Sequence, residues 1–139
     1  MNRRDFLLVT AAAGLAPALM PMAAQADIDY TPGLVEQRLE AGETVFLDFK
    51  ANWCTTCAAQ ARVLAALKAD NPAYEAAITF INVDWDLYGD SDLARGLNIP
   101  RRSTLVVLRG DQELGRIVAG TAQADIQALM DVALAAATA

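Results

Sequence analysis

The chain has 139 residues, 55% of them hydrophobic, with a net charge of −6, two cysteines and no histidine. This length is sufficient for one domain with a hydrophobic core. The negative charge argues against binding to nucleic acid or to an anionic membrane surface, and the lack of histidine excludes catalytic triads and metal sites that depend on it.

Residues 1–26 predict a removable export signal, and residues 27–139 are expected to form the domain. Paired arginines at Arg3 and Arg4 precede a mostly apolar stretch, and an A-x-A cleavage site ends at Ala26. The order Arg-Arg-x-Phe-Leu is similar to that of twin-arginine signals, which export folded proteins, so the predicted location is the periplasm. An uncleaved amphipathic anchor is the alternative. Cleavage would remove two arginines and one aspartate, which changes the net charge from −6 to −7.

Helix-type and strand-type patterns alternate along the rest of the chain. Runs of β-branched and apolar residues indicate strands, whereas apolar positions at helical spacing and flanking Pro or Gly indicate helices. The predicted helices cover 33–40, 58–69, 73–77, 91–97 and a final amphipathic segment after Thr121. The predicted strands cover 44–49, 78–84, 104–109 and 113–118, with a loop over 85–89. The order β-α-β-α-β-β-α implies an α/β fold in which helices flank a central mixed sheet.

The two cysteines lie where a predicted strand meets a predicted helix. Cys54 is expected at or just before the first helical turn, where free N–H groups and the positive end of the helix dipole favour a thiolate. Cys57 follows three residues later, within reach for a disulfide. A disulfide that closes so small a loop stabilises a fold little, so a redox role explains this spacing better than a structural one.

Two other interpretations of the Cys-x-x-Cys spacing stay open. Structural zinc would need carboxylates or a second chain as further ligands, because the sequence contains no third cysteine and no histidine. The cysteines could also be buried and inert, since free cysteine is among the most buried residue types.

The element order and one motif resemble the thioredoxin superfamily over residues 28–137. The motif joins a strand to the cysteine turn and reads Asp48-Phe49-x-Ala51-x-Trp53-Cys54-x-x-Cys57. The resemblance implies a thioredoxin-like fold, with Cys54 as the exposed nucleophile, Cys57 as the resolving cysteine and Asp48 as the buried acid behind it. It further implies that Trp53 flanks the site and that Gly120 borders the substrate groove.

Elementary chemistry agrees with these implied roles. A thiolate attacks a substrate disulfide, and the second thiol must then lose its proton to resolve the mixed disulfide. Burial would raise the pKa of Asp48, which could then accept the proton of Cys57. The alternatives are that Asp48 points outward from an edge strand and that Trp53 is only a core residue.

The sequence departs from the family pattern at Ser103, which stands where the family carries a cis-proline. A cis peptide before a non-proline residue costs about 2.5–4 kcal/mol, so we predict a trans Arg102–Ser103 peptide and an altered substrate-facing loop. Arg102 and Ser103 are expected to contact substrate, and the arginine pair that includes Arg101 could attract acidic substrate segments. Family members without this proline are more open to metal or iron–sulfur ligation, so a metal or cluster carrier using the same cysteines is the alternative function.

Two further departures concern the redox chemistry. Thr55 and Thr56 place neither proline nor histidine between the cysteines, which favours a reducing rather than a strongly oxidising protein. Phe80 stands where thioredoxins often carry a lysine. Without that lysine, less positive charge would balance the negative charge of the Asp48 carboxylate. We therefore predict an exported, monomeric protein-disulfide reductase whose redox group is its own Cys54–Cys57 pair, without a further cofactor. Its expected partners are protein or small-molecule disulfides and a membrane electron donor.

Overall fold

The computed structural model describes Gly14 and residues 26–139, so the export signal predicted over 1–26 lies, except for Gly14 and Ala26, outside the described residues. Within that part of the chain, no helix combines the length and the apolar character needed to cross a membrane. The strands are β1 (Ile28–Asp29), β2 (Thr44–Lys50), β3 (Thr79–Asp84), β4 (Thr104–Arg109) and β5 (Gln112–Val118). The helices are α1 (Leu34–Glu40), α2 (Thr55–Asp70), α3 (Ala73–Ala77), α4 (Trp85–Tyr88), α5 (Asp92–Gly96) and α6 (Gln123–Ala137).

The five strands form one mixed sheet in the order β1-β3-β2-β4-β5. Strand β2 is central, parallel to β3 and antiparallel to β4. It is buried almost throughout, as its β-branched and aromatic content predicts for a strand covered on both faces. The predicted mixed sheet flanked by helices is confirmed.

Alternate side chains of the central strands enter two separate cores, because successive residues of a strand point to opposite faces. On one face the sheet packs against α2, α3 and α6, with a core that includes Phe46, Leu64, Tyr74, Leu105, Ile126 and Met130. On the other face it packs against α1 and α5, with a core that includes Val35, Leu47, Phe49, Ile81, Leu93 and Val106. The turn that carries the two cysteines therefore begins at the carboxyl end of β2, the central strand of the sheet.

The structure differs from the predicted elements at three places. Strand β1 was not predicted because it is only two residues long and shows no periodic pattern. The predicted loop over 85–89 is wrong, since α4 forms there and the Asp84 carboxylate accepts the N–H of Asp86 at 2.9 Å as a helix cap. The long helix α2 begins at Thr55 rather than at Ala58, and Cys57 lies inside its first turn, as its spacing from Cys54 predicts.

Candidate active site

Cys54 and Cys57 form a disulfide at the amino end of α2. Cys54 is the extended residue that caps the helix, and its sulfur accepts the backbone N–H of Cys57 at 3.1 Å. The two Cα atoms are 5.2 Å apart, within the ordinary range for a disulfide. The predicted dithiol geometry at the strand–helix junction is confirmed.

The disulfide is more enclosed than the resemblance implied. Cys54 is 4% exposed and Cys57 is 2% exposed, so the prediction of an exposed Cys54 is wrong for this oxidised form. Ala51 and Trp85 pack against the pair, and the Ser103 hydroxyl lies 3.1 Å from each sulfur. The disulfide therefore offers an attacking thiol very little open surface.

Ser103 is fully buried and is held by its backbone as well as by its side chain. Its N–H donates to the Phe49 carbonyl at 2.7 Å, and its own carbonyl accepts the N–H of Ala119 at 2.8 Å. The Arg102–Ser103 peptide is trans, as predicted, and Ser103 has a φ of 63°. This is the left-handed region, which a residue with a side chain occupies only when its surroundings fix it there.

Gln60 is a site residue that the sequence analysis missed. Its fully buried side chain donates one hydrogen bond to the Ser103 carbonyl at 3.0 Å and another to the Gly120 carbonyl at 2.9 Å. The backbone at Gly120 approaches Ile117 so closely that a Cβ there would lie 2.8 Å from the Ile117 methyl group. Gln60 thus connects α2 to both loops beside the disulfide. A glutamine in an Ala-rich helix gives no signal of this role in the sequence.

Trp53 lies at the rim of the site and is 58% exposed, so the alternative of core packing is wrong. Its indole N–H donates to both carboxylate oxygens of Asp86, each at 3.0 Å. The Arg102 guanidinium lies 4.4 Å from the centre of the indole rings, a cation–π distance. The structure brings Trp53 and Arg102 together next to Ser103. Contact of these residues and of Gly120 with a substrate stays a prediction.

Asp48 lies on the central strand β2 and is 5% exposed, so the alternative of an outward-facing edge-strand carboxylate is wrong. Burial raises the pKa of Asp48 to about 6, because desolvation disfavours the charged form. Among the residues that the structure describes, its Oδ1 atom has no hydrogen-bond partner. The expected buried acid is therefore present, whereas its role as a base stays a prediction.

A cavity of about 540 Å³ leads to Asp48 on the α2 face of the sheet. Ala61, one helical turn after Cys57, lines this cavity, so the carboxyl group lies below the helix face that carries Cys57. Lys68 on α2 also lines it, with its ammonium 2.7 Å from Asp27 and 3.9 Å from the centre of the Phe80 ring. Lys68 therefore brings a positive charge from helix α2 close to Phe80, the strand position where thioredoxins often carry a lysine.

A family model described as Thioredoxin matches residues 22–132. The chain belongs to the thioredoxin family. A curated relative, Thioredoxin H5 from Oryza sativa subsp. japonica, is 30% identical over 86 residues, which cover 62% of this chain. The match spans 59% of that thioredoxin's length.

Solved structures of thioredoxins share the fold. Trxlp from Edwardsiella tarda superposes with a TM-score of 0.66 at 25% identity, covering 76% of this chain and 98% of that one. Thioredoxin from Schistosoma mansoni superposes with a TM-score of 0.60 at 26% identity, covering 76% of this chain and 93% of the other. The thioredoxin-like α/β fold predicted from the sequence is confirmed.

Restoring the proline that the thioredoxin pattern has at Ser103 is expected to destabilise this protein by about 3 kcal/mol. Proline cannot adopt a φ near 63°, and it would remove the N–H that the buried Phe49 carbonyl accepts. Urea unfolding of Ser103→Pro against wild type measures the change. Ser103→Gly, which adopts positive φ freely, is the control and should stay within about 1 kcal/mol of wild type. Equal stability of Ser103→Pro and wild type would contradict the prediction.

Proposed function

We propose that this protein is a thiol–disulfide oxidoreductase that works as a protein-disulfide reductase. The observation that carries the proposal is the Cys54–Cys57 disulfide at the amino end of α2 in a thioredoxin fold. A sulfur at this position receives the backbone N–H of Cys57 and the positive end of the helix dipole. Both interactions favour a thiolate at Cys54 over one at Cys57 after reduction.

The proposed reaction uses both sulfurs in sequence. The Cys54 thiolate attacks one sulfur of the substrate disulfide, so a mixed disulfide forms and the first substrate thiolate leaves. Asp48, as carboxylate, accepts the proton of Cys57, directly or through water in the cavity. The Cys57 thiolate then attacks Cys54, which closes the protein disulfide and releases the second substrate thiolate. Two electrons pass from the protein to the substrate.

The direction of electron flow and the location are part of the proposal. Thr55 and Thr56 give the turn neither a proline nor a histidine that would favour a strongly oxidising pair. The export signal predicted over 1–26 supports a periplasmic location, where a monomer would receive electrons from a membrane donor that carries a dithiol. Trp53 and Arg102 are proposed to contact the substrate beside the disulfide.

A turnover assay tests the proposal. Catalytic amounts of the protein should accelerate the reduction of insulin disulfides by dithiothreitol, and the Cys54–Cys57 disulfide should reform in each cycle. The matched control is the same protein reduced and then alkylated with iodoacetamide, which blocks the thiols without any substitution. Equal rates with the intact and the alkylated protein would refute the proposal.

The alternative of a metal or iron–sulfur carrier has less support. In residues 26–139, no three or more Cys, Asp or Glu side chains are grouped so that they could hold a metal ion. Purification of a coloured or metal-loaded dimer would favour this alternative over the reductase.

A further inference from the structure

The Ser103 hydroxyl occupies an unusual position between the two redox sulfurs. It lies 3.1 Å from Cys54 Sγ and 3.1 Å from Cys57 Sγ, within hydrogen-bonding distance of both. Among the side chains in the described part of the chain, it is the one that forms a hydrogen bond with either sulfur. Because Ser103 is fully buried, water does not compete for these contacts.

The surroundings of Ser103 fix the direction of its hydroxyl. Its backbone N–H and carbonyl groups are held by three hydrogen bonds, to the Phe49 carbonyl, the Ala119 N–H and the Gln60 side chain. The neighbouring hydroxyl of Thr104 points elsewhere and donates to the Arg101 carbonyl at 2.7 Å. With its backbone held at this positive φ, Ser103 directs its hydroxyl group at the disulfide.

We propose that Ser103 is a positioning residue that holds the reduced sulfurs through its hydroxyl group, donating to the Cys54 thiolate and accepting from the Cys57 thiol. A hydroxyl can donate one hydrogen bond and accept others at the same time, so it suits both sulfurs. The assignment rests on the proposed function of this disulfide, and it gives the serine a role other than contact with substrate.

The reduction step shows where the hydroxyl acts. A dithiol reductant supplies two electrons and is itself oxidised to a disulfide, while the Cys54–Cys57 bond breaks. One of the reductant's two protons goes to Cys57, the other is released to solvent, and Cys54 becomes a thiolate. That thiolate then receives two donors, the Cys57 N–H and the Ser103 O–H. Hydrogen bonds to the charged form favour it, so Ser103 stabilises the Cys54 thiolate over the thiol. A serine thus takes over thiolate stabilisation in a chain that has no histidine.

The test measures thiol reactivity and needs no substrate protein. Wild type, Ser103→Ala and Ser103→Gly are reduced with dithiothreitol, freed of it, and alkylated with iodoacetamide between pH 5 and 9, with Cys54 followed by mass spectrometry. At pH 6 alkylation of Cys54 should slow roughly tenfold in both variants, because a hydrogen bond to a charged group is lost. The midpoint of the rate against pH should move upward.

The controls separate this role from a structural one. Thr104→Val removes a neighbouring buried hydroxyl that does not contact sulfur, and it should keep the wild-type midpoint. Ser103→Gly keeps the positive φ without strain, so it decides the question if Ser103→Ala fails to fold. A wild-type midpoint in the folded Ser103 variants would overturn the proposal. Failure of the insulin assay would instead refute the reductase function and leave the alkylation result standing.

Discussion

Cys54→Ser is expected to lose the proposed reductase activity by on the order of a thousandfold or more, because a serine hydroxyl cannot form the mixed disulfide through which the proposed reaction passes. Serine is nearly isosteric with cysteine, and its oxygen can still accept the N–H of Cys57 and meet the Ser103 hydroxyl. The fold should therefore stay intact, and the insulin assay should report chemistry alone.

Cys57→Ser is the matched variant and is expected to fail at the second step. Cys54 still attacks the substrate, but no second thiol resolves the mixed disulfide, so a covalent adduct should accumulate. Non-reducing electrophoresis and mass spectrometry detect this adduct, which Cys54→Ser should not form. The comparison matters because Cys54 and Cys57 are almost equally buried, at 4% and 2% exposed. An adduct formed by Cys54→Ser instead would reverse the assignment of the nucleophile.

Most of the fold could be predicted because its elements carry local signals. The strand over 44–49 combines β-branched and aromatic residues, and the final helix repeats apolar positions at helical spacing, as its buried Ile126, Leu129, Met130 and Ala133 show. Two of the three differences concern short elements that hydrophobic periodicity does not reveal. Strand β1 exists through pairing with β3, and α4 through the cap at Asp84. Neither interaction leaves a periodic pattern in the sequence.

The candidate site was predicted in most detail where its residues follow one another in the sequence. Asp48, Cys54 and Cys57 belong to one continuous motif, and the structure pairs the two sulfurs and buries the Asp48 carboxyl group as that motif implies, although it also buries Cys54. The hydroxyl of Ser103 reaches Cys54 across 49 residues of sequence, and Gln60 reaches Gly120 across 60. Such contacts depend on how β4 and α2 pack around the turn. The cover over Cys54 depends on the same packing, which explains why the predicted exposure was wrong.

Asp48→Asn is expected to stabilise the protein by about 3 kcal/mol at pH 7, since burial raises the pKa of Asp48 from 3.8 to about 6. The folded state holds this proton more tightly than the unfolded state. Ionisation therefore opposes folding, and its cost grows as the pH rises from about 4 to about 6 and is constant above that range. The neutral amide removes this cost, so the two proteins should be about equally stable near pH 4.

The same substitution should slow the proposed reduction of substrate, because the amide cannot act as the proposed acceptor of the Cys57 proton. Urea unfolding of both proteins at pH 4, 5, 6 and 7 measures the stability gap, and the insulin assay over the same range measures the rate. Asp111→Asn, which replaces an exposed carboxylate in the turn between β4 and β5, is the matched control. A gap that stays unchanged from pH 4 to 7 would show that Asp48 titrates alike in the folded and unfolded chains. If Asp48→Asn gains stability but keeps full activity, Asp48 does not accept the proton of Cys57. Burial would still be the cause of the raised pKa of Asp48.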